Sequence, residues 1–154
     1  GAPSAAALRR RRSFLVSDGF EKYLRKSAKG VQKVGRKIGA TARGKKLHRL
    51  RIRVKRLRYE LEFFTVIYPS LDNAAKASKA LQDVLGAHQD ACTASARLRH
   101  YVRSLAARHD GADAPAALLR LLELERCRVH EARHSFAAEW RRFTRTIALA
   151  NLAA

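Results

Sequence analysis

The stretch Leu47-His48-Arg49-Leu50-Arg51-Ile52-Arg53-Val54-Lys55-Arg56-Leu57-Arg58-Tyr59-Glu60-Leu61-Glu62 decides the fold of this chain. Leu47, Leu50, Val54, Leu57, Leu61 and Phe64 recur at alternating three- and four-residue steps, which makes one apolar seam along a helix. One position later, His48, Arg51, Lys55, Arg58 and Glu62 repeat that spacing. At ~100° per residue they share an arc of roughly 80° beside the seam. Ile52, Tyr59 and Val66 border the far edge of this stripe, so its charges stand between apolar positions. Arg49, Arg53, Arg56 and Glu60 fall on a separate arc, expected on the outward surface. From His48 to Arg58 the stripe extends about 15 Å, a row of donors suited to successive phosphates of an extended chain. Arginine offers a forked, permanently charged donor, lysine a compact point charge and histidine a donor whose charge follows pH. The plain alternative is that these cations pair with carboxylates of neighbouring helices, Arg58 with Glu62 among them. Thirteen acids cannot neutralise thirty-three bases, which favours the first reading.

Outward from this helix the pattern stays helical. Lys45 to Tyr68 ends at Pro69, which cannot continue a helix without losing a backbone bond. Ser70 or Asp72 can cap a following helix that runs to about Arg108, with Leu81, Leu85, His88, Cys92 and Ser95 on one face and Gly86 as a weak point. Asp110 to Ala114 reads as a loop, and Pro115 to about Leu149 as the last helix, buried along Leu118, Leu122, Val129, Phe136, Phe143 and Ile147. Upstream, the Arg9 to Arg12 run and Phe14, Leu15 and Val16 predict a short helix or arm. Ser17 and Asp18 then start a helix to about Ile38, broken by Gly39 to Gly44. Four long helices with short connections predict an all-α fold, an antiparallel four-helix bundle. Residues 1–44 are expected to form a basic arm and first helix, and 45–154 the bundle, together as one domain.

A length of 154 residues fits one core, and a formal charge of +20 calls for a polyanionic partner. Charge alone does not choose among nucleic acid, anionic membrane and phosphate polymer. Single-strand binders need exposed rings for bases to stack on, whereas Phe20, Tyr23, Phe64, Tyr68, Phe136 and Phe143 sit at core periods. A membrane scaffold needs a freely exposed apolar face, which a packed bundle is not expected to offer. Inorganic polyphosphate is therefore the expected partner, with weaker, sequence-independent nucleic-acid binding through phosphates as the alternative and no membrane partner. Cys92 and Cys127 read as small buried hydrophobes, and with no signal peptide or spanning segment the expected setting is cytoplasmic.

The Leu47 to Glu62 segment resembles a motif of the CHAD family, the conserved histidine α-helical domain: His-x-x-Arg-x-x-x-Lys-Arg-x-Arg-Tyr-x-x-Glu, with Leu57 between Arg56 and Arg58. Leu81-Gln82-Asp83-Val84-Leu85-Gly86-Ala87-His88-Gln89-Asp90 is similar to the family's following helix, and Trp140-Arg141-Arg142 after Phe136 to its closing segment. The resemblance covers residues 45–145. It implies two related bundles around a basic channel, polyphosphate binding, and association with polyphosphate granules. A single His-x-x-Arg helix makes the chain similar to the C-terminal half of such a domain. A homodimer or a missing N-terminal half-domain would complete it.

The residues expected to bind polyphosphate are His48, Arg51, Lys55 and Arg58, with Arg126, His130 and Arg133 as a weaker stripe on the last helix beside Val129 and Phe136. Gln82, Asp90 and Glu62 are expected to support these cations, although capping or ordinary helix contacts account equally well for Gln82 and Asp90. His130 and His134 stand at i, i+4, but no further ligand completes a metal pattern. There is no activated nucleophile, phosphate-cradling glycine loop or carboxylate cluster for magnesium. No cofactor, no metal and no catalysis are expected.

Overall fold

In the computed structural model, residues 5–38, 44–108 and 116–152 are described, with side chains from residue 19 onward. Four helices follow one another: α1 (Ala5–Gly35), α2 (Gly44–Thr65), α3 (Asp72–Arg108) and α4 (Ala116–Leu149). A single 3-10 turn, Pro69–Leu71, links α2 to α3. No strand occurs among the described residues. The architecture is the expected all-α helical bundle.

The seam of α2 is the axis of the core. Leu50, Val54, Leu57 and Leu61 are fully buried and Leu47 nearly so. Each such side chain contributes about 1.5–3 kcal/mol by leaving water. They meet Leu24, Ala28 and Val31 of α1, Leu81 and Leu85 of α3, and Phe143 and Ile147 of α4 in one cluster. Successive helices are neighbours, with α1 and α3 on either side of α2 and α4 packed chiefly on α3. The short link after Thr65 reverses the chain. Tyr68 takes the extended conformation (φ −125°, ψ 83°) that a residue before proline favours. At the far end, Asn151 in the left-handed region (φ 55°) closes α4, and the Leu152 N–H donates to the Ile147 carbonyl at 3.0 Å. Leu152 is thereby turned back into the core.

Three expectations change. The predicted start at Ser17 and Asp18 lies inside α1, because the signals for a start are also tolerated within a helix when the flanking residues are good helix formers. Gly86 does not interrupt α3, which runs unbroken for 37 residues. Cys127 is exposed and Cys92 only half-buried, so neither is a core residue. The predicted breaks at Gly39 to Gly44 and Asp110 to Ala114 fall largely outside the described residues, as does Pro115.

Burial also divides the long helices. Fully buried residues of α3 extend only from Ala74 to Ser95, and those of α4 begin at Ala132. Beyond these limits α3 and α4 continue as a two-helix arm with no fully buried described residue, where Leu119, Leu121 and Leu124 stay exposed. Leu118, Leu122 and Val129 are accordingly half-buried rather than core.

α1 and α4 touch most closely at Gly35, where a Cβ would overlap the Trp140 indole. Gly19 has open space around it. Gly35→Ala should therefore destabilise the fold by about 1–3 kcal/mol through overpacking. Gly19→Ala should stabilise it by about 0.5–1 kcal/mol, since alanine is the better helix former. Urea unfolding of the two variants checks the opposite signs.

Candidate functional site

The stripe and the seam sit on one helix, so burying the leucines fixes where the charges emerge. The cations of α2 leave the core on two sides, one toward α3 and one toward α1. On the α3 side, Arg51 crosses to Gly86, where an added Cβ would stand 3.8 Å from the Arg51 Nε. Gln82 lies one turn before Gly86 on α3 and is half-buried. The Nε atoms of Arg51 and Arg58 and the Oε1 of Gln82 are buried without a hydrogen-bond partner. Such groups carry a desolvation penalty of about 1–3 kcal/mol each until something pairs with them. The Arg58 guanidinium lies 4.5 Å from the centroid of the Tyr59 ring, and the Lys55 Nζ lies 5.7 Å from the same centroid. The ring thus helps hold two cations of the stripe. Glu62 meets Arg58 at 3.7 Å, a long ion pair that leaves the guanidinium mostly unneutralised. His48 and Lys55 are exposed.

Across α3, Arg133 of α4 donates from its Nε to the Nε2 of His88 at 3.3 Å. His88 is only 3 % exposed, with the Cys92 sulfur 3.7 Å from its Nε2. Burial pushes the imidazole below its ordinary pKa of 6.5, and the Arg133 charge adds to this. A neutral ring is the form that accepts from a guanidinium. Sequence placed His88 on the buried face of α3 but did not foresee its bond to Arg133, 45 residues away. The one available signal was a histidine in a row otherwise made of Leu, Cys and Ser. Arg126 and His130 lie exposed on α4, and Arg126 pairs with Glu123 at 3.3 Å. Asp90 lines a groove of about 570 Å³ between α3 and α4 with Glu125 and Arg128, and so stands apart from the α2 stripe.

On the second cationic side Arg49, Arg53 and Arg56 are exposed, as their arc predicts, but two of them also reach α1. The Arg53 guanidinium lies over Gly30 of α1, 3.0 Å from where a Cβ would stand. Arg56 donates to the Tyr23 hydroxyl at 3.0 Å and to Glu60 at 2.8 Å, and the Tyr23 hydroxyl donates to Glu60 at 2.9 Å. These bonds raise the Arg56 pKa further above its already high ordinary value. Tyr23 itself is 44 % exposed, so it is a bridge between helices rather than the core ring its period suggested. Helical period gives the arc of a residue but not which neighbour covers it.

Among the described residues, no three His, Cys, Asp or Glu side chains come together as a metal site would require. No described helix is long and apolar enough to cross a membrane. The buried His88 gives stability a pH dependence with a definite sign. Its folded pKa is depressed, so the unfolded chain binds the proton more readily, and this contribution is full above pH 6.5 and is lost as pH falls below it. Melting temperature should therefore drop between pH 7.5 and 5.5 more in the wild type than in His88→Gln. Parallel curves for the two proteins would contradict the assignment.

The domain model for the CHAD domain matches residues 3–99, which takes in α1, α2 and most of α3. The Trp140 segment thus lies outside the matched range. Two uncharacterized proteins of Mycobacterium tuberculosis, MT2285 of strain CDC 1551 / Oshkosh and Rv2226 of strain H37Rv, are each 37 % identical to the chain over 73 residues. That alignment covers 47 % of this chain but only 13 % of each relative. No solved structure matches the chain. With the matched range spanning well over half of its length and containing the whole α2 stripe, the chain belongs to the CHAD domain family.

Proposed function

We propose that the chain binds inorganic polyphosphate along the α2–α3 side of the bundle and catalyses no reaction. One observation carries this reading: Arg51 and Arg58, on one side of one helix, each keep a buried Nε donor without a partner, Arg51 beside Gly86. The two residues stand about 10 Å apart along the helix, so successive phosphates of one chain could pair with both, and reduced access of water there strengthens each contact. His48 and Lys55 extend the row at its solvent edge. Arg133 prolongs it toward α4, with Arg126 and His130 further along the arm. Glu62 and Gln82 position the row. The family of the chain supports polyphosphate over other anions. The site is a non-catalytic surface, and association with polyphosphate granules follows from that reading. A second CHAD bundle, from another copy or from an N-terminal half-domain, would face this side of α2.

Backbone-only contact with duplex DNA remains the competing reading, because it also uses phosphates and cations. Among the described residues four aromatic rings, Tyr23, Tyr59, Phe63 and Tyr101, are exposed, so rings are available for base stacking beyond what the core periods suggested. Competition decides between them: long-chain polyphosphate should displace duplex DNA and single-stranded RNA at matched charge and physiological salt. Equal or tighter nucleic-acid binding would support the alternative.

The two sides of α2 should be unequal. Arg51→Gln/Arg58→Gln should weaken polyphosphate binding by about tenfold or more, as expected on losing charge-assisted bonds of ~1.5–3 kcal/mol each. Arg49→Gln/Arg53→Gln removes the same charge and should weaken it by only about two- to threefold through the general field. Isothermal titration of both folded variants checks this. Equal losses would show that net charge alone accounts for binding.

A further inference from the structure

The outer face of α2 is apolar and uncovered. Phe63 is 70 % exposed, Val66 87 % and Ile67 63 %, and the row continues through Tyr59 at 50 % to Ile52 at 55 %. Ile52, Tyr59 and Phe63 fall on the arc of α2 opposite the leucine seam, and Val66 and Ile67 continue this exposed ridge into the turn that follows Thr65. From the sequence, a packed bundle is not expected to offer such a face. It does so here because α1 and α3 occupy the two flanks of α2 and nothing described lies on top. Contiguous exposed apolar surface of this kind marks a contact with a protein or a membrane.

The flanks are cationic on both edges. His48 and Lys55 border the ridge toward α3. Toward α1, Lys26, Arg49, Arg53 and Arg56 line a groove of about 590 Å³ that also includes Ile52 itself. The two carboxylates of α2 are both already engaged, Glu60 by Arg56 and Tyr23 and Glu62 by Arg58 at 3.7 Å. We propose that this face docks on an anionic lipid surface, with phosphate headgroups in the α1–α2 groove and the Ile52–Ile67 ridge entering the interface.

Three observations favour a bilayer over other occupants. A soluble phosphate polymer has no apolar surface to meet Phe63, Val66 and Ile67. A second copy of the chain would bring the same cations against themselves, since a two-fold contact pairs a patch with its own kind. A single amphipathic helix is recognised in a groove, whereas here the apolar part is the convex crest and the groove beside it is cationic. A headgroup layer meets both features, because basic residues snorkel to phosphates while apolar ones enter below them. The proposal does not rest on the polyphosphate reading, which uses the α3 side of α2 and shares only His48 and Lys55 with the edge of this face.

Sedimentation with vesicles tests it. The full chain at physiological salt should sediment with phosphatidylcholine vesicles containing phosphatidylglycerol and not with phosphatidylcholine alone. Ile52→Ser/Val66→Ser/Ile67→Ser keeps every charge and removes only exposed side chains. It should bind the anionic vesicles about tenfold or more weakly, with binding of soluble polyphosphate unchanged. In Phe63→Trp, emission should shift to shorter wavelength on anionic vesicles but not on adding polyphosphate, and this reporter decides the matter should the serine variant fail to fold. Failure to sediment with anionic vesicles, which a protein-covered ridge would produce, overturns the proposal. Equal binding by the folded serine variant, or an unshifted Phe63→Trp emission, overturns it too.

Discussion

Everything in this molecule depends on the leucine seam of α2 being buried while the same helix carries eight Lys and Arg against two Glu. Burial of Leu47, Leu50, Val54, Leu57 and Leu61 fixes the rotation of the helix about its own axis. Once that rotation is fixed, every cation on α2 has a defined direction. Those near the seam are carried into the flanking helix interfaces, and those far from it point outward. Charge that would be diffuse on a free helix becomes three distinct surfaces.

The flanks differ because their neighbours differ. Toward α1, Arg56 finds an acceptor in Glu60 and a bridging hydroxyl in Tyr23, so the cation is tied down by protein. Toward α3, Arg51 meets Gly86, and Arg51 and Arg58 both retain unpartnered donors. Equal formal charge therefore does not mean equal capacity for an anion. The His88–Arg133 bond adds a further restraint across α3, one that needs a neutral imidazole and an interior that keeps it so.

The outer crest is a consequence of topology. A helix at the edge of a square bundle normally shows solvent a polar face. Here α2 shows Ile52, Tyr59 and Phe63, extended by Val66 and Ile67 of the following turn, so its apolar residues occupy two opposite faces and its charges the two between. This cross-shaped distribution explains why a helix so rich in arginine can still hold the core together. It also explains why one periodicity argument found the seam while the same argument could not tell that the opposite apolar residues would stay bare.

Sequence alone determined the elements. The 3- and 4-residue spacing of Leu47 to Phe64 set the helix and its seam, Pro69 ended it, and the His48 to Glu62 and Leu81 to Asp90 segments carried the family resemblance. These are local properties, fixed by helical geometry and by the missing N–H of proline. Tertiary structure decided what each arc touches. That Arg53 lies on Gly30, Arg51 on Gly86, Arg133 on His88 and Trp140 on Gly35 depends on contacts between residues far apart in the chain, and each requires two helices to share a level. Helical period assigns an angle to a side chain, but the neighbour at that angle is chosen by how all four helices bury their apolar faces at once.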